Sequence, residues 1–261
     1  MSAKTRYDSL ASERSQFLNI AEEAAKLTIP YIIRGEDEHM HGAKNLSTPW
    51  QSVGAKGVVT LAAKLQLALV PVNTSFFKLQ INDAMLGQVN PDMKSELDLS
   101  FAKIENTIMD SIAASDDRVV IHQALKHLVV AGNALVFMGK DGLKLFPLHR
   151  YVIERDGNGN VIEIVTKEKI SKKLLPDFED DLTVQDESEH SDNVDVYTHV
   201  RRDNNRFLWH QEVNDKIIPK SVSKSPVETT PWLPLRFNTV DGEPYGRGRV
   251  EEFMGDLKSL E

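Results

Sequence analysis

The chain has 261 residues, with 31 basic and 39 acidic side chains, a net charge of −8 and no cysteine. The lack of cysteine excludes a disulfide scaffold, a thiolate metal site and a cysteine nucleophile. Hydrophobic residues make up 41% of the chain and charged residues 27%, which is ordinary for a globular protein with one large domain or two small ones.

The excess negative charge comes from one segment, residues 177–192, which holds eight acids and no Lys or Arg. The rest of the chain is balanced, with 31 acidic and 31 basic side chains. A run of like charge predicts a solvated loop, with an acidic contact site for a partner as the alternative. Residues 1–25 are too polar for a secretory signal, and the apolar stretch 57–72 is too short to span a bilayer, so no membrane contact is expected.

Residues 4–29 predict a first helix, which ends at Ile29-Pro30 because the residue before proline avoids the α region. A polar connector, residues 30–49, precedes a second helix from about residue 50 to residue 69. Apolar residues surround nearly the whole second helix, which predicts that most of its sides are covered.

Residues 72–81 are short and β-prone and include two phenylalanines, so they predict a strand. Residues 90–92 then begin a long helix with an apolar stripe at helical spacing. The stripe consists of Leu97, Phe101, Ile104, Ile108 and Ile112. A fourth helix begins at Asp116-Asp117 and is closed by Gly132.

Short β-prone runs follow from residue 134 to residue 237, and two of the turns between them, residues 140–142 and 156–159, are typical of hairpins. Helices followed by strands predict an α+β fold, in which a helical half, residues 1–132, packs against a mainly antiparallel β region, residues 133–240. Residues 246–261 predict a last helix whose apolar stripe has no stop signal. This pattern indicates that the chain is the front part of something longer.

Candidate chemical sites are few. Residues 156–160 resemble a calcium loop only briefly, because the expected Gly and Glu are absent, and a tight turn is favoured. His39 and His41 lie beside three acids and could hold a divalent metal, although the polar context favours no specific site. His122 and His127 are five apart, which does not place them on one helical face, so structural roles are favoured. No nucleotide loop, nucleophile motif or basic stripe is present, so the sequence predicts neither an enzyme nor a sequence-specific DNA binder, and no cofactor.

Five stretches of the sequence, in order, resemble one family: the portal, or head-to-tail connector, proteins of short-tailed double-stranded DNA phages. They are distributed along most of the chain. They are residues 48–57 (TPWQSVGAKG), 67–71 (LALVP), 124–135 (ALKHLVVAGNAL), 194–199 (VDVYTH) and 241–253 (DGEPYGRGRVEEF).

The resemblance implies a subunit of a dodecameric ring at one capsid vertex, through which DNA is packaged and ejected without sequence-specific binding. Residues 1–245 would form the wing domain, and residues 246–261 the start of a stem helix beside the channel. The expected partners are other copies of the chain, the major capsid and scaffolding proteins, the terminase, the tail adaptor and nozzle, and internal core proteins. The expected location is the virion, after assembly in the host cytoplasm.

Six charged residues at the start of the expected stem could contact the channel or a neighbouring subunit. They are Arg247, Arg249, Glu251, Glu252, Asp256 and Lys258. An ordinary solvated helix face remains an equal interpretation of the last four. Two other functions stay open: a monomeric head–tail adaptor, and a metal-dependent nucleic-acid enzyme that uses His39 and His41.

Overall fold

The computed structural model describes residues 2–33, 48–72, 74–80, 91–175 and 193–261. Three features of the sequence lie outside these residues: His39, His41 and the acidic segment 177–192. The described residues form an α+β fold in which helices are followed by antiparallel strands, as the sequence predicts. The described helices are α1 (Ala3–Lys26), α2 (Val53–Leu69), α3 (Pro91–Ala114), α4 (Asp117–Ala131) and α5 (Met254–Leu260).

The strands form two sheets in which every described pairing is antiparallel. The smaller sheet has the order β2-β1-β9, and the larger has the order β3-β4-β5-β6-β7 with β8 also paired to β6. The strands are β1 (Asn133–Gly139), β2 (Gly142–Phe146), β3 (Tyr151–Arg155), β4 (Val161–Ser171), β5 (Asn193–Asp203), β6 (Arg206–Val213), β7 (Lys216–Ile217), β8 (Ser223–Pro226) and β9 (Trp232–Arg236).

Both predicted hairpin turns are confirmed. Gly139 and Gly142 pair directly across the β1–β2 turn. In the β3–β4 turn, the Asp156 carboxylate accepts hydrogen bonds from the backbone N–H groups of Asn158 (3.0 Å) and Asn160 (2.7 Å). Those bonds fix a tight turn, which is the interpretation that the sequence favours over a calcium loop.

The main core lies between α1, α4 and both sheets. It includes Leu18 of α1, Val130 of α4, Leu135 of β1 and Ile164 of β4. A smaller cluster packs the first half of α1 against the other face of the larger sheet, where Tyr7 contacts the ring of Tyr197 with 5.7 Å between ring centroids. α1 therefore joins the two halves of the fold.

Two predictions about the helical half are wrong. Within the described residues, α2 buries only a narrow stripe, and most of its other apolar side chains are exposed, including Val59, Leu67 and Leu69. The stripe is narrow because α2 packs mainly on one neighbour, α4. The strand predicted at residues 72–81 does not form over residues 74–80, which have no strand partner among the described residues.

The α3 helix confirms the predicted period, but its apolar stripe is not buried. Ile104 and Ile108 are exposed, and no described residue of α3 is fully buried. Among the helices in the described part of the chain, none combines the length and apolar character that crossing a bilayer requires.

Candidate functional site

The six predicted site residues lie on one C-terminal segment, which the small sheet directs back to the centre of the fold. Strand β9 pairs with β1, with Asn133 opposite Arg236, so the chain after β9 passes the end of α4. Asn238 and Arg247 then form an isolated antiparallel bridge. Because Arg247 is held in this bridge, the last helix begins later than residue 246: a 3-10 turn covers Val250–Phe253 and α5 follows.

Three glycines allow this segment to touch α4 at the level of the backbone. Gly132 ends α4 in the left-handed conformation, with φ of 73°. A Cβ atom on Gly132 would lie 2.3 Å from the Arg247 carbonyl carbon, and one on Gly248 would lie 2.3 Å from the Val130 carbonyl oxygen. A Cβ on Gly246 would lie 2.6 Å from the Gly132 carbonyl oxygen. These positions cannot hold a side chain without displacing a neighbouring backbone.

Two buried side chains hold the glycine contact in place. Asn133 donates its amide N–H to the Gly246 carbonyl (2.7 Å) and accepts the Gly246 backbone N–H (2.7 Å). The Tyr245 hydroxyl accepts the backbone N–H of Ile153 on β3 at 3.0 Å, and burial raises the pKa of this hydroxyl. We call Gly132, Asn133, Tyr245, Gly246 and Gly248 the junction.

Arg247 is paired within the chain. Its guanidinium binds both carboxylate oxygens of Glu243, at 2.8 Å and 2.5 Å, and one oxygen of Glu251 at 2.8 Å. It also lies over the ring of Phe17, 5.1 Å from the centroid. Hydrogen bonding to Glu243 raises the pKa of Arg247, and the same bonds lower the pKa of Glu243. This is the bidentate arrangement that favours arginine over lysine.

Four of the other five predicted site residues are also paired, with Glu251 bound to Arg247 as described above. Arg249 pairs with Glu252, which accepts a further hydrogen bond from Asn238 at 3.1 Å. Lys258 on α5 pairs with Glu23 on α1, with 2.5 Å between Nζ and Oε1. Asp256 lies at the rim of an apolar groove next to α5. The six residues thus lie together on one segment. Arg247 and Arg249 form ion pairs with residues three or four positions away, and Lys258 forms one with α1.

An apolar groove of about 380 Å³ runs between α2 and α5. Apolar side chains from both helices line it, and Arg249 and Asp256 lie at its edge. Several of these apolar side chains are well exposed: Val53 at 61%, Leu260 at 55% and Phe253 at 46%. Trp50, which is 91% exposed, precedes α2, and its backbone N–H donates to the Glu261 carboxylate at 3.1 Å. The described residues thus leave an apolar surface exposed at this groove.

Several of the sequence segments that carry the family resemblance converge here. The end of α4 and the start of β1, residues 124–135, meet residues 241–253 at the junction. Residues 48–57 contribute Gly54, where a Cβ would lie 2.7 Å from the Leu27 carbonyl oxygen and 3.3 Å from the Leu257 side chain. The junction residues are absent from the predicted site, although they lie within the same stretches. Closely spaced Gly and Tyr in residues 241–248 are the signal that could have identified them.

Comparisons with known proteins point to the same family as these sequence segments. Residues 1–261 match the family described as "Bacteriophage head to tail connecting protein". The chain is 37% identical over 270 residues to the portal protein of Enterobacteria phage T3 and 35% identical over 271 residues to that of Escherichia phage T7. It is 30% identical over 262 residues to the portal protein of Enterobacteria phage SP6.

These similarities cover nearly all of this chain but only part of the relatives. They extend over 99% of the chain for the T3 and T7 proteins and 96% for the SP6 protein. The chain spans about half the length of these relatives, 50%, 50% and 49% respectively.

Proposed function

The chain belongs to the family of bacteriophage head to tail connecting proteins, and from this premise we propose that it forms the wing and the first part of the stem of a portal subunit. The subunit assembles with identical copies into a dodecameric ring at the capsid vertex, and the ring is the conduit for double-stranded DNA. The observation that supports this proposal best is the apolar groove between α2 and α5, which the described residues leave exposed.

The groove fits a head-to-tail contact between copies. A closed ring of identical subunits needs two different complementary surfaces on each subunit. The groove offers one apolar surface, and the exposed stripe of α3, which includes Ile104 and Ile108, offers a second. Burying Val53, Phe253 and Leu260 would each contribute about 1–2 kcal/mol, because roughly half of each side chain is exposed. In a ring, contact with the neighbouring copy would cover both surfaces.

The charges near α5 suit a conduit that does not grip DNA. Each phosphate that a protein neutralises adds salt-dependent affinity, which would resist sliding. Arg247 is held by Glu243 and Glu251, and Lys258 is held by Glu23. In this proposal the six charged residues of the segment set the orientation of the stem and form polar contacts at the subunit boundary, and their own ion pairs limit attraction to the passing strand.

The remaining roles follow from the same proposal. Residues 1–245 face the capsid and scaffolding proteins as the wing domain, and the ring receives the terminase during packaging and the tail adaptor, nozzle and internal core proteins afterwards. The ring is assembled in the host cytoplasm and stays in the virion. The force for packaging comes from the terminase, so the subunit itself is not an enzyme.

The test is ring formation by full-length protein carrying Val53→Asp and Leu260→Asp, followed by native mass spectrometry and negative-stain imaging. We expect closed rings from the unchanged protein and mostly monomers from the variant, because a carboxylate in the groove opposes apolar contact. Ile217→Asp is the matched control, since Ile217 is a similarly exposed apolar residue on β7.

Rings from the groove variant would contradict the groove as a subunit contact. A stable monomer from the unchanged protein would instead favour the adaptor hypothesis. The enzyme hypothesis is tested separately by Mg²⁺- or Mn²⁺-dependent nuclease activity and its loss in His39→Ala/His41→Ala. The lack of such activity in the unchanged protein would end that hypothesis.

A further inference from the structure

A polar cluster lies on the face of the larger sheet that packs against the start of α1. His199 on β5 is directly opposite His210 on β6. Glu212 lies two residues beyond His210, and alternation along the strand places its side chain on the same face. Both histidines are partly buried and Glu212 is buried. Three potential metal ligands therefore share one protected patch of sheet.

The ligand atoms are already close together. One nitrogen from each histidine and one oxygen from Glu212 lie within 4.8 Å of one another. His210 Nε2 is 2.7 Å from Glu212 Oε1, and the two imidazole rings are 5.4 Å apart between centroids. Small shifts in these side chains would bring all three to the 2.0–2.2 Å or so at which nitrogen and oxygen bind zinc.

The groups around the three ligands hold them in place. The second oxygen of Glu212 accepts the backbone N–H of Ala3 at 2.7 Å, at the start of α1. His199 Nε2 contacts Glu163, which also accepts from Arg6 Nε at 2.6 Å. If the histidine nitrogens turned to a metal, Glu212 would keep its hydrogen bond from the Ala3 backbone N–H. Glu163 would keep its hydrogen bond from Arg6. Those two hydrogen bonds thus survive metal binding, while the contact between His199 Nε2 and Glu163 is exchanged for the metal.

The charge of the network favours a cation. Glu154, Glu163 and Glu212 contribute three carboxylates, and Arg6 is the cation that pairs with the first two. Glu163 and Glu212 are both buried, where an uncompensated carboxylate is costly. A divalent ion bound by Glu212 and two neutral imidazoles would add positive charge beside these two buried carboxylates.

We propose that His199, His210 and Glu212 form a binding site for a transition-metal ion of the Zn²⁺ class, with water as a fourth ligand. Two imidazoles and one carboxylate suit zinc, whereas Mg²⁺ and Ca²⁺ prefer oxygen ligands alone. The ion joins β5 to β6 and, through Glu212, to the start of α1. Its role is to hold the first helix of the wing on the sheet, apart from any contact with DNA.

The test is calorimetric titration of chelator-treated full-length protein with ZnCl₂, together with the visible spectrum after Co²⁺ is added. We expect one ion per subunit with a dissociation constant of roughly 1 µM or lower. Millimolar Mg²⁺ should not displace it. The thermal unfolding temperature should rise when zinc is added, because an ion that binds only the folded state stabilises it.

Two variants probe the ligands. His199→Gln/His210→Gln should bind zinc at least about 100-fold more weakly, since the loss of outer partners alone costs about 10–100-fold. Glu212→Gln removes the anionic ligand but keeps an acceptor for Ala3, so it should fold and still lose affinity. His122→Gln, on α4, is the matched control and should bind normally. Unchanged protein that binds no zinc, or undiminished binding in the double histidine variant, would overturn the proposal.

Discussion

At the scale of single residues, the helical half buries two basic side chains, one that keeps its charge and one that is neutral. Arg14 of α1 has no exposed surface and donates to the backbone carbonyls of Leu148 (3.0 Å) and Tyr151 (2.8 Å). Its charge is met by carbonyl dipoles, so it joins α1 to the entry of β3. His127 of α4 is also buried, and burial lowers its pKa from 6.5 to about 4. His127 is therefore neutral in the folded protein at physiological pH.

The buried imidazole predicts a loss of stability in acid. The unfolded state takes up a proton below a pH of about 6.5, while folded His127 resists protonation until a pH of about 4. Stability from this residue is thus fully present above the unfolded pKa and falls as the pH drops through the window between the two values. We expect the free energy of unfolding to fall by about 2 kcal/mol between pH 7 and pH 5 from this group. Urea unfolding at the two pH values measures it.

His127→Met serves as the comparison, because methionine fills a similar volume and does not titrate. Its unfolding free energy should change by about 2 kcal/mol less than that of the unchanged protein over the same pH interval. Equal pH dependence in the two proteins would show that His127 is not the responsible group.

At the scale of elements, the junction couples α4, β1 and α5. Gly132 is both the left-handed end of α4 and the contact for Arg247 and Gly248. The helix therefore ends where the C-terminal segment crosses it. Because backbone packs on backbone there, the requirement for glycine comes from space as well as from φ.

A glycine-to-alanine pair tests the junction. Gly132→Ala forces a left-handed alanine and places its Cβ against the Arg247 backbone, and we expect a loss of about 3 kcal/mol or more of unfolding free energy. Gly57→Ala is the matched change on α2, where a Cβ meets nothing within 4 Å. Alanine is the better helix former, so this variant should gain about 0.5–1 kcal/mol. Chemical unfolding of both variants gives the comparison, and a neutral Gly132→Ala would contradict the close contact.

The elements that the sequence predicts well are those whose pattern depends on local period. Apolar spacing predicts α1 and α4, Gly132 marks the end of α4, and the turn residues predict both hairpins. All of these elements appear as expected. Arg14 lies on the buried stripe of α1. The sequence does not predict this burial, because a charged side chain is ordinarily exposed to solvent. The short strands β7 and β8 were missed because two and four mostly polar residues show no alternation.

The errors near the candidate site have a different physical origin. The late start of the last helix depends on the bridge between Asn238 and Arg247, which joins residues beyond the reach of a helical pattern. Apolar residues surround most of α2 and so predict burial, but the described residues cover only one side of this helix. The six charged residues of the predicted site lie on the one segment that begins at Arg247. Their ion pairs with Glu243 and Glu23 depend on how α1 and the loop before Arg247 meet in three dimensions.

At the scale of the whole molecule, the net charge is concentrated in one place. Residues 177–192 carry eight negative charges and no positive ones, and the rest of the sequence is balanced. This segment follows β4 and precedes β5, on the connection between two central strands of the larger sheet. It is separated along the sequence from α2, α3 and α5, where we propose the subunit contacts.

Removal of residues 177–192 should therefore leave ring assembly intact. A variant in which a short Gly-Ser linker replaces the segment loses eight negative charges, and we expect rings of unchanged subunit number by native mass spectrometry. A second variant with the eight acids changed to Asn or Gln keeps the length and separates the effect of charge from that of chain. Loss of rings in the deletion alone would show that the segment is a subunit contact.

The glycine junction has a mechanical consequence. At Gly132, Gly246 and Gly248 backbone meets backbone with no side chain between the two elements, and close packing of this kind transmits strain. A push or twist on α5 would therefore pass through the turn Val250–Phe253 and residues 246–248 to the end of α4 and, through β1, to the main core. We expect the joint to act as a stiff coupling rather than a hinge, so that a load applied to the last helix is shared by the main core instead of bending the chain where the two meet.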